Sequence, residues 1–177
     1  IKPVLKGMAE EGNPYTGFLY AGCMIDGDGN PKTLEFNCRF GDPETQPIMM
    51  RLQSDLVDLV ESALAQNLDQ AQANWDSRVA LGVVMAAANY PDEPKKGDVI
   101  TGIEQANATG AKVFQAGTSI NADGQIVTNG GRVLCVTALG ANTAEAQANA
   151  YNALKQVAFN GAFYRTDIGY RAIAREQ

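Results

Sequence analysis

The chain has 177 residues, 45% hydrophobic and 19% charged, with a formal charge of −6. That suffices for one large domain or two small ones with a sizeable core, and the acidic balance argues against non-specific binding to nucleic acid or an anionic membrane. Histidine is absent, so His-based zinc sites and Ser/Cys–His nucleophiles are excluded, and any chemistry must run on carboxylates, amides, Arg, Lys and backbone.

In chain order, Val4, Leu5 and Met8 lie at helical spacing, and Gly12-Asn13-Pro14 stops that helix. "TGFLYAGCMID" and "KTLEFNCRF" are β-rich arms flanking Gly27-Asp28-Gly29-Asn30, which predicts an antiparallel hairpin over Thr16–Phe40. "TQPIMMRLQSDLVDLVESALAQNL" predicts two short helices, or one kinked helix, broken near Ser54-Asp55 with Ser54 as N-cap. The polar stretch 67–77 marks a boundary between a 1–70 unit and a 76–177 unit.

Beyond it come short strands in "RVALGVVMAAANY", "GDVITG", "AKVFQAGTSI" and "GQIVTNGGRVLCVTALG", with a hairpin turn at Asp123-Gly124. "NTAEAQANAYNALKQVAF" predicts an amphipathic helix with Thr143 and Glu145 near its start, and "DIGYRAIAREQ" a short terminal one. The expected class is α+β, a hairpin-and-helix piece followed by a small mixed-sheet domain.

No apolar run approaches the roughly 20 residues of a membrane span, and the N-terminus lacks a signal-peptide layout. Cys23, Cys38 and Cys135 are odd in number and widely spaced, which predicts thiols in a reducing, cytoplasmic compartment, acting as small core residues. The chain opens "IKPVLKGMAEEG", as if in mid-helix and without Met, so it is expected to be a piece of a longer protein.

The stretch "PKTLEFNCRFGDPETQP" concentrates polar groups in what begins as a buried strand. Strand alternation puts Glu35 and Asn37 on one face, about 6.5–7 Å apart, with Leu34, Phe36 and Cys38 on the other, anchoring face. A carboxylate and an amide oxygen at that spacing suit one hard cation whose remaining shell is water and phosphate, as for Mg²⁺ at a nucleotide site. Arg39 continues the same face toward phosphate, and "GDPETQ" adds Asp42 and Glu44 near a helix start, where they suit orienting a polar substrate. Pattern alone favours a blander alternative, in which E-x-N-x-R is the wet face of an amphipathic strand.

"GFLYAGCMID" with "LEFNCRFGDPETQPIMMRLQSDL" resembles the end of the ATP-grasp region in the glycinamide ribonucleotide synthetase (phosphoribosylamine–glycine ligase) family. The resemblance continues through "LGVVMAAANYP", "GDVITG", "KVFQAGT", "VTNGGRVLCVTALG" and "DIGYRAI", and so spans essentially the whole chain. It implies an ATP-dependent ligase of purine synthesis that joins glycine to 5-phosphoribosylamine through glycyl phosphate. Residues 1–70 would be the last segment of the ATP-grasp domain and 76–177 the family's C-terminal domain.

By the same resemblance, Glu35 and Asn37 are the Mg²⁺ or Mn²⁺ ligands at the ATP phosphates. Arg39 stabilises the transferring phosphoryl group, and Asp42 and Glu44 orient the amine substrate or their loop. "TNGGRVL" reads either as a turn whose Gly130 and Gly131 present Arg132 to a substrate phosphate, or as a glycine-rich strand start with an exposed Arg.

Many ATP-grasp enzymes carry an acidic ligand on the strand between Gly17 and Ile25. This chain has none there, a respect in which it resembles the glycinamide ribonucleotide synthetase branch rather than biotin-carboxylase-like relatives. Gln115 departs from the family's pattern, occupying the place of an expected His. The amino-terminal domain and the mobile ATP-binding subdomain are not represented, so the chain is expected to need them as partners and to be inactive alone. A sister ATP-grasp carboxylate–amine ligase and a non-catalytic scaffold are the alternative readings.

Overall fold

The computed structural model describes residues 1–176. It divides into two compact units, residues 1–42 with 52–74, and residues 43–51 with those from Trp75 onward.

The first unit contains helix α1 (Lys2–Glu10), strands β1 (Tyr20–Ile25) and β2 (Pro31–Asn37), helix α3 (Leu56–Leu64) and a 3₁₀ turn at Leu68–Gln70. Helix α2 (Thr45–Arg51), which lies between β2 and α3 in the chain, belongs to the second unit. Two short helices thus form, but the cap of α3 is Asp55, whose side chain accepts from Val57 N–H at 2.7 Å. Ser54, the expected cap, is drawn elsewhere. Its hydroxyl accepts from Asn74 N–H and donates to the Gln72 carbonyl.

Among the described residues, β1 and β2 pair antiparallel and only with each other. Here the expectation of a core strand fails, because Leu34 is 67% and Phe36 43% exposed. A two-stranded ladder has no third layer of its own to cover its apolar face. The cysteine expectation fails for the same reason at two positions: Cys23 and Cys38 are exposed, and only Cys135 is buried.

The second unit is built on a sheet in the order β3–β7–β4, with β3 at Val79–Ala86, β4 at Lys112–Gln115 and β7 at Arg132–Gly140. The expected mixed sheet is antiparallel in both ladders. "VLCVTA", Val133 to Ala138, is buried throughout, as a central strand covered on both faces requires. On one face Leu81, Val83, Met85, Leu134 and Val136 join Ala146, Ala150 and Leu154 of helix α5 (Thr143–Leu154) in the main core. The other face meets α2. A Cβ at Gly82 would stand 2.9 Å from Cys135 Sγ and 3.4 Å from Pro47 Cγ, so only hydrogen fits where helix and sheet meet.

α5 begins where Asn142 accepts from Glu145 N–H and Glu145 reaches back to Ala141 N–H, a reciprocal cap. "GDVITG", expected as a strand, makes only isolated bridges at Val99 and Thr101 before helix α4 (Ile103–Ala108). Strands β5 (Thr118–Ile120) and β6 (Ile126–Thr128) form the hairpin around Asp123-Gly124. The terminal helix α6 (Tyr170–Glu176) returns to α5, where Glu176 accepts from the N–H and hydroxyl of Thr143. No helix among the described residues is long and apolar enough to cross a membrane.

α2 is fastened to the sheet through Asp76. Arg51 donates to the Asp76 carbonyl from Nε (3.2 Å) and Nη2 (3.1 Å), and Asp76 N–H donates to the Arg51 carbonyl (2.7 Å). The Asp76 carboxylate takes Arg78 in a two-pronged pair, with the shorter contact 2.7 Å. That hydrogen bonding, with the Arg78 and Arg51 charges, lowers the Asp76 carboxyl to about 2.

Two outcomes are expected. Leu154→Ala empties a fully buried position and lowers stability by about 2–5 kcal/mol, measured by urea denaturation. The lowered carboxyl of Asp76 stabilises the fold above an unfolded value near 4, and this contribution disappears as pH falls through about 2. The gap in thermal midpoint between wild type and Asp76→Asn should therefore narrow from pH 4 to pH 2.

Candidate functional site

The hairpin is set from its turn. Asp26 Oδ1 accepts from the N–H groups of Asn30 (2.9 Å) and Asp28 (3.1 Å), and Lys32 Nζ lies 3.6 Å from Oδ2. The Asn30 N–H above all holds this carboxyl below its ordinary range. Pairing runs Ile25 to Pro31, Met24 to Lys32 and Cys23 to Thr33, then skips Leu34 and resumes with Gly22 to Glu35 and Tyr20 to Asn37. This β-bulge, with Leu34 as its extra residue, turns the strand just before Glu35.

Glu35 and Asn37 therefore share one face of β2, across from Gly22 and Tyr20. Glu35 is exposed, and its carboxylate has no hydrogen bond or ion pair to another described residue. Asn37 is half-buried, and its Nδ2 is buried without a partner. Turning the carboxamide about its last bond exchanges nitrogen for oxygen at that spot. The pair thus offers two uncommitted hard oxygens on one face, a donor set that fits a divalent cation sharing its shell with phosphate. No three of His, Cys, Asp or Glu gather into a metal cluster among the described residues.

Arg39 departs from expectation. β2 ends at Asn37, so alternation does not extend to residue 39, and the exposed Arg39 donates from Nη1 to the Phe40 carbonyl at 2.9 Å. Phe40 packs on Phe18 with ring centroids 4.1 Å apart, closing the open end of the hairpin. Asp42 is exposed in the bend that follows.

In the second unit, Glu44 precedes α2 and is exposed, and its carbonyl accepts from Ile48 N–H at 3.3 Å. The Gly130-Gly131 turn is closely packed. A Cβ at Gly130 would lie 2.9 Å from Gly117 Cα, and one at Gly131 would lie 2.1 Å from Tyr90 Cδ2. The Gly131 carbonyl accepts from Ala87 N–H (2.9 Å), and Arg132, exposed, opens β7 opposite Ala86. Space alone thus accounts for both glycines. Gln115, at the end of β4, accepts from the Thr118 hydroxyl at 3.0 Å.

Sequence reasoning missed Gly22 and Tyr90. Tyr90 stands in a loop that carried no signal for its contact with Gly131. Gly22 could have been found by pairing the arms from the turn, but without the bulge that count sets Gly22 against Leu34.

An α+β chain whose hairpin presents carboxylate and amide oxygens on one face is matched by known proteins over its length. A crystal structure of phosphoribosylamine–glycine ligase from Thermotoga maritima is 39% identical, with a TM-score of 0.78, covering 92% of this chain and 39% of that one. Urea carboxylase from Kluyveromyces lactis, 18% identical with a TM-score of 0.59, shares the fold over 92% of this chain and 14% of its own. Residues 80–171 match the family model for the phosphoribosylglycinamide synthetase C domain, and residues 1–45 that for the ATP-grasp (A) domain of the same synthetase. The chain belongs to the phosphoribosylglycinamide synthetase family.

Curated relatives named phosphoribosylamine–glycine ligase are 63% identical over 177 residues in Vibrio parahaemolyticus and 63% over 171 residues in Pseudomonas putida. These matches cover 100% and 97% of this chain but only 41% and 39% of the relatives' own lengths. The chain spans about two fifths of the proteins it matches.

Gly131→Ala is expected to lower stability by about 1–3 kcal/mol through overpacking against the Tyr90 ring. In a Tyr90→Ala background the same change should cost little, which a double-mutant cycle by urea denaturation checks.

Proposed function

We propose that this chain forms part of a cytoplasmic, ATP-dependent ligase that joins glycine to 5-phosphoribosylamine. The products would be glycinamide ribonucleotide, ADP and phosphate. The observation that carries the reading is the uncommitted Glu35 and Asn37 pair on one face of a hairpin within the segment matched by the ATP-grasp model. The names of the relatives supply the substrates. The exposed thiols of Cys23 and Cys38 suit the reducing cytoplasm. The remainder of a full-length ligase would supply the rest of the nucleotide site.

In this reading Glu35 and Asn37 hold Mg²⁺ or Mn²⁺ against the ATP phosphates. When bound, the ion neutralises charge on the β- and γ-phosphates. The glycine carboxylate attacks the γ-phosphorus and ADP leaves, giving glycyl phosphate. The phosphoribosylamine nitrogen then attacks the acyl carbon, expelling phosphate and losing a proton. The chain's own residues position and neutralise rather than react covalently.

Arg39 is exposed and engages Phe40 through Nη1 alone, so its other N–H groups can face the transferring phosphoryl oxygens. Asp42 and Glu44 are assigned to orienting the amine or their own loop. Arg132 is assigned to a substrate phosphate, carried on the turn that Gly130 and Gly131 shape.

In the full-length protein, Glu35→Gln combined with Asn37→Ala should abolish ATP-dependent formation of glycinamide ribonucleotide while leaving the thermal unfolding midpoint near wild type. Undiminished turnover in the double variant would refute the metal assignment. Phosphate release as strong with other small carboxylates as with glycine would refute the substrate assignment.

A further inference from the structure

We infer that Gly22 is a positioning residue for Glu35: its missing side chain leaves the space in which the Glu35 carboxylate is aimed at the cation. The inference rests on the proposed ligand role of Glu35.

Gly22 is one of two buried residues in the first unit's described segments, the other being Gly41. What buries it includes the Glu35 side chain, its direct partner across the ladder. A Cβ at residue 22 would stand 3.0 Å from Glu35 Cγ, 3.6 Å from Glu35 Oε1 and 3.4 Å from Tyr20 Cε1. Any larger residue would wedge between the Tyr20 ring and the Glu35 stem and push the carboxylate off its line.

Backbone conformation does not explain the glycine. Gly22 is absent from the positive-φ positions, which include Gly12, Gly17 and Gly29 of the same unit, so an L-residue can adopt its φ. A glycine in a strand interior also weakens the strand relative to alanine. The bulge lies between this pair and the next, and a skipped residue there changes the direction in which Glu35 leaves the strand. Gly22 accommodates that direction. A ligand side chain held by its surroundings binds more tightly than one left to wander, and loss of such support typically weakens metal binding 10–100-fold.

The test is a two-by-two cycle in the full-length protein, with wild type, Gly22→Ala, Glu35→Gln and the double variant. Mn²⁺ binding in the presence of ADP is followed by loss of the free-ion EPR signal, and folding by thermal unfolding. Gly22→Ala should weaken Mn²⁺ binding by about ten-fold, keep its unfolding midpoint, and add nothing to Glu35→Gln. Gly27→Ala, where a Cβ meets nothing within 4 Å, serves as the control and should bind as wild type.

Wild-type binding by Gly22→Ala beside weak binding by Glu35→Gln would overturn the positioning role. So would an equal loss in the Glu35→Gln background, or an unfolded Gly22→Ala protein, since the glycine would then serve the hairpin rather than Glu35. Wild-type binding by Glu35→Gln would instead overturn the ligand assignment itself.

Discussion

Strand β7 is the constraint on which the second unit depends. It bonds to β3 along one edge and β4 along the other, while α5 and α2 lie against its two faces. A strand enclosed on four sides cannot alternate polar and apolar residues, and Thr137 is tolerated because its hydroxyl meets Cys135 Sγ at 3.5 Å. The sheet faces then dictate their neighbours. Gly82 lets α2 approach, and the small side chains of Ala146, Ala150 and Ala153 let α5 lie close on the other side.

The first unit is organised differently. Its side chains bury little, and a lone two-stranded ladder is marginal in water. Order near Glu35 comes instead from local devices: the Asp26 turn, the Leu34 bulge and the Phe18–Phe40 pair. Each acts through backbone register or ring contact, so the geometry of the oxygen face is specified without a core beneath it.

Much of this was legible in the sequence. Gly27-Asp28-Gly29-Asn30 located the hairpin, and Glu145, which completes the cap with Asn142, marked the start of α5, because turn and cap chemistry are local. What was not legible depended on distant partners. Ser54 lost the cap to Asp55 because Asn74 and Gln72, about twenty residues on, claimed its hydroxyl. "GDVITG" looked like a strand by composition, yet its pairing is split between one bridge to Val127 of β6 and one to Ala158, too short on either side to make a strand. The bulge was invisible because a skipped residue leaves no mark in composition, and it moved Glu35 from facing Ala21 to facing Gly22. Residue alternation still found the Glu35–Asn37 pair, since both lie beyond the irregularity; it failed for Arg39, where the strand had ended.

An exposed carboxylate is useful to a cation only if no protein cation holds it first. The two basic residues nearest Glu35 in the chain are Lys32 and Arg39. Lys32 points to Asp26 in the turn, and Arg39 donates to a backbone carbonyl. Neither neutralises Glu35, and Asn37 beside it carries no charge. In the proposed role, a divalent ion arriving with phosphates would therefore break no ion pair at Glu35, and the energy of its two charges would not be offset by displaced lysine or arginine. Lys32 and Arg39, held to their own partners, leave the oxygen face unopposed.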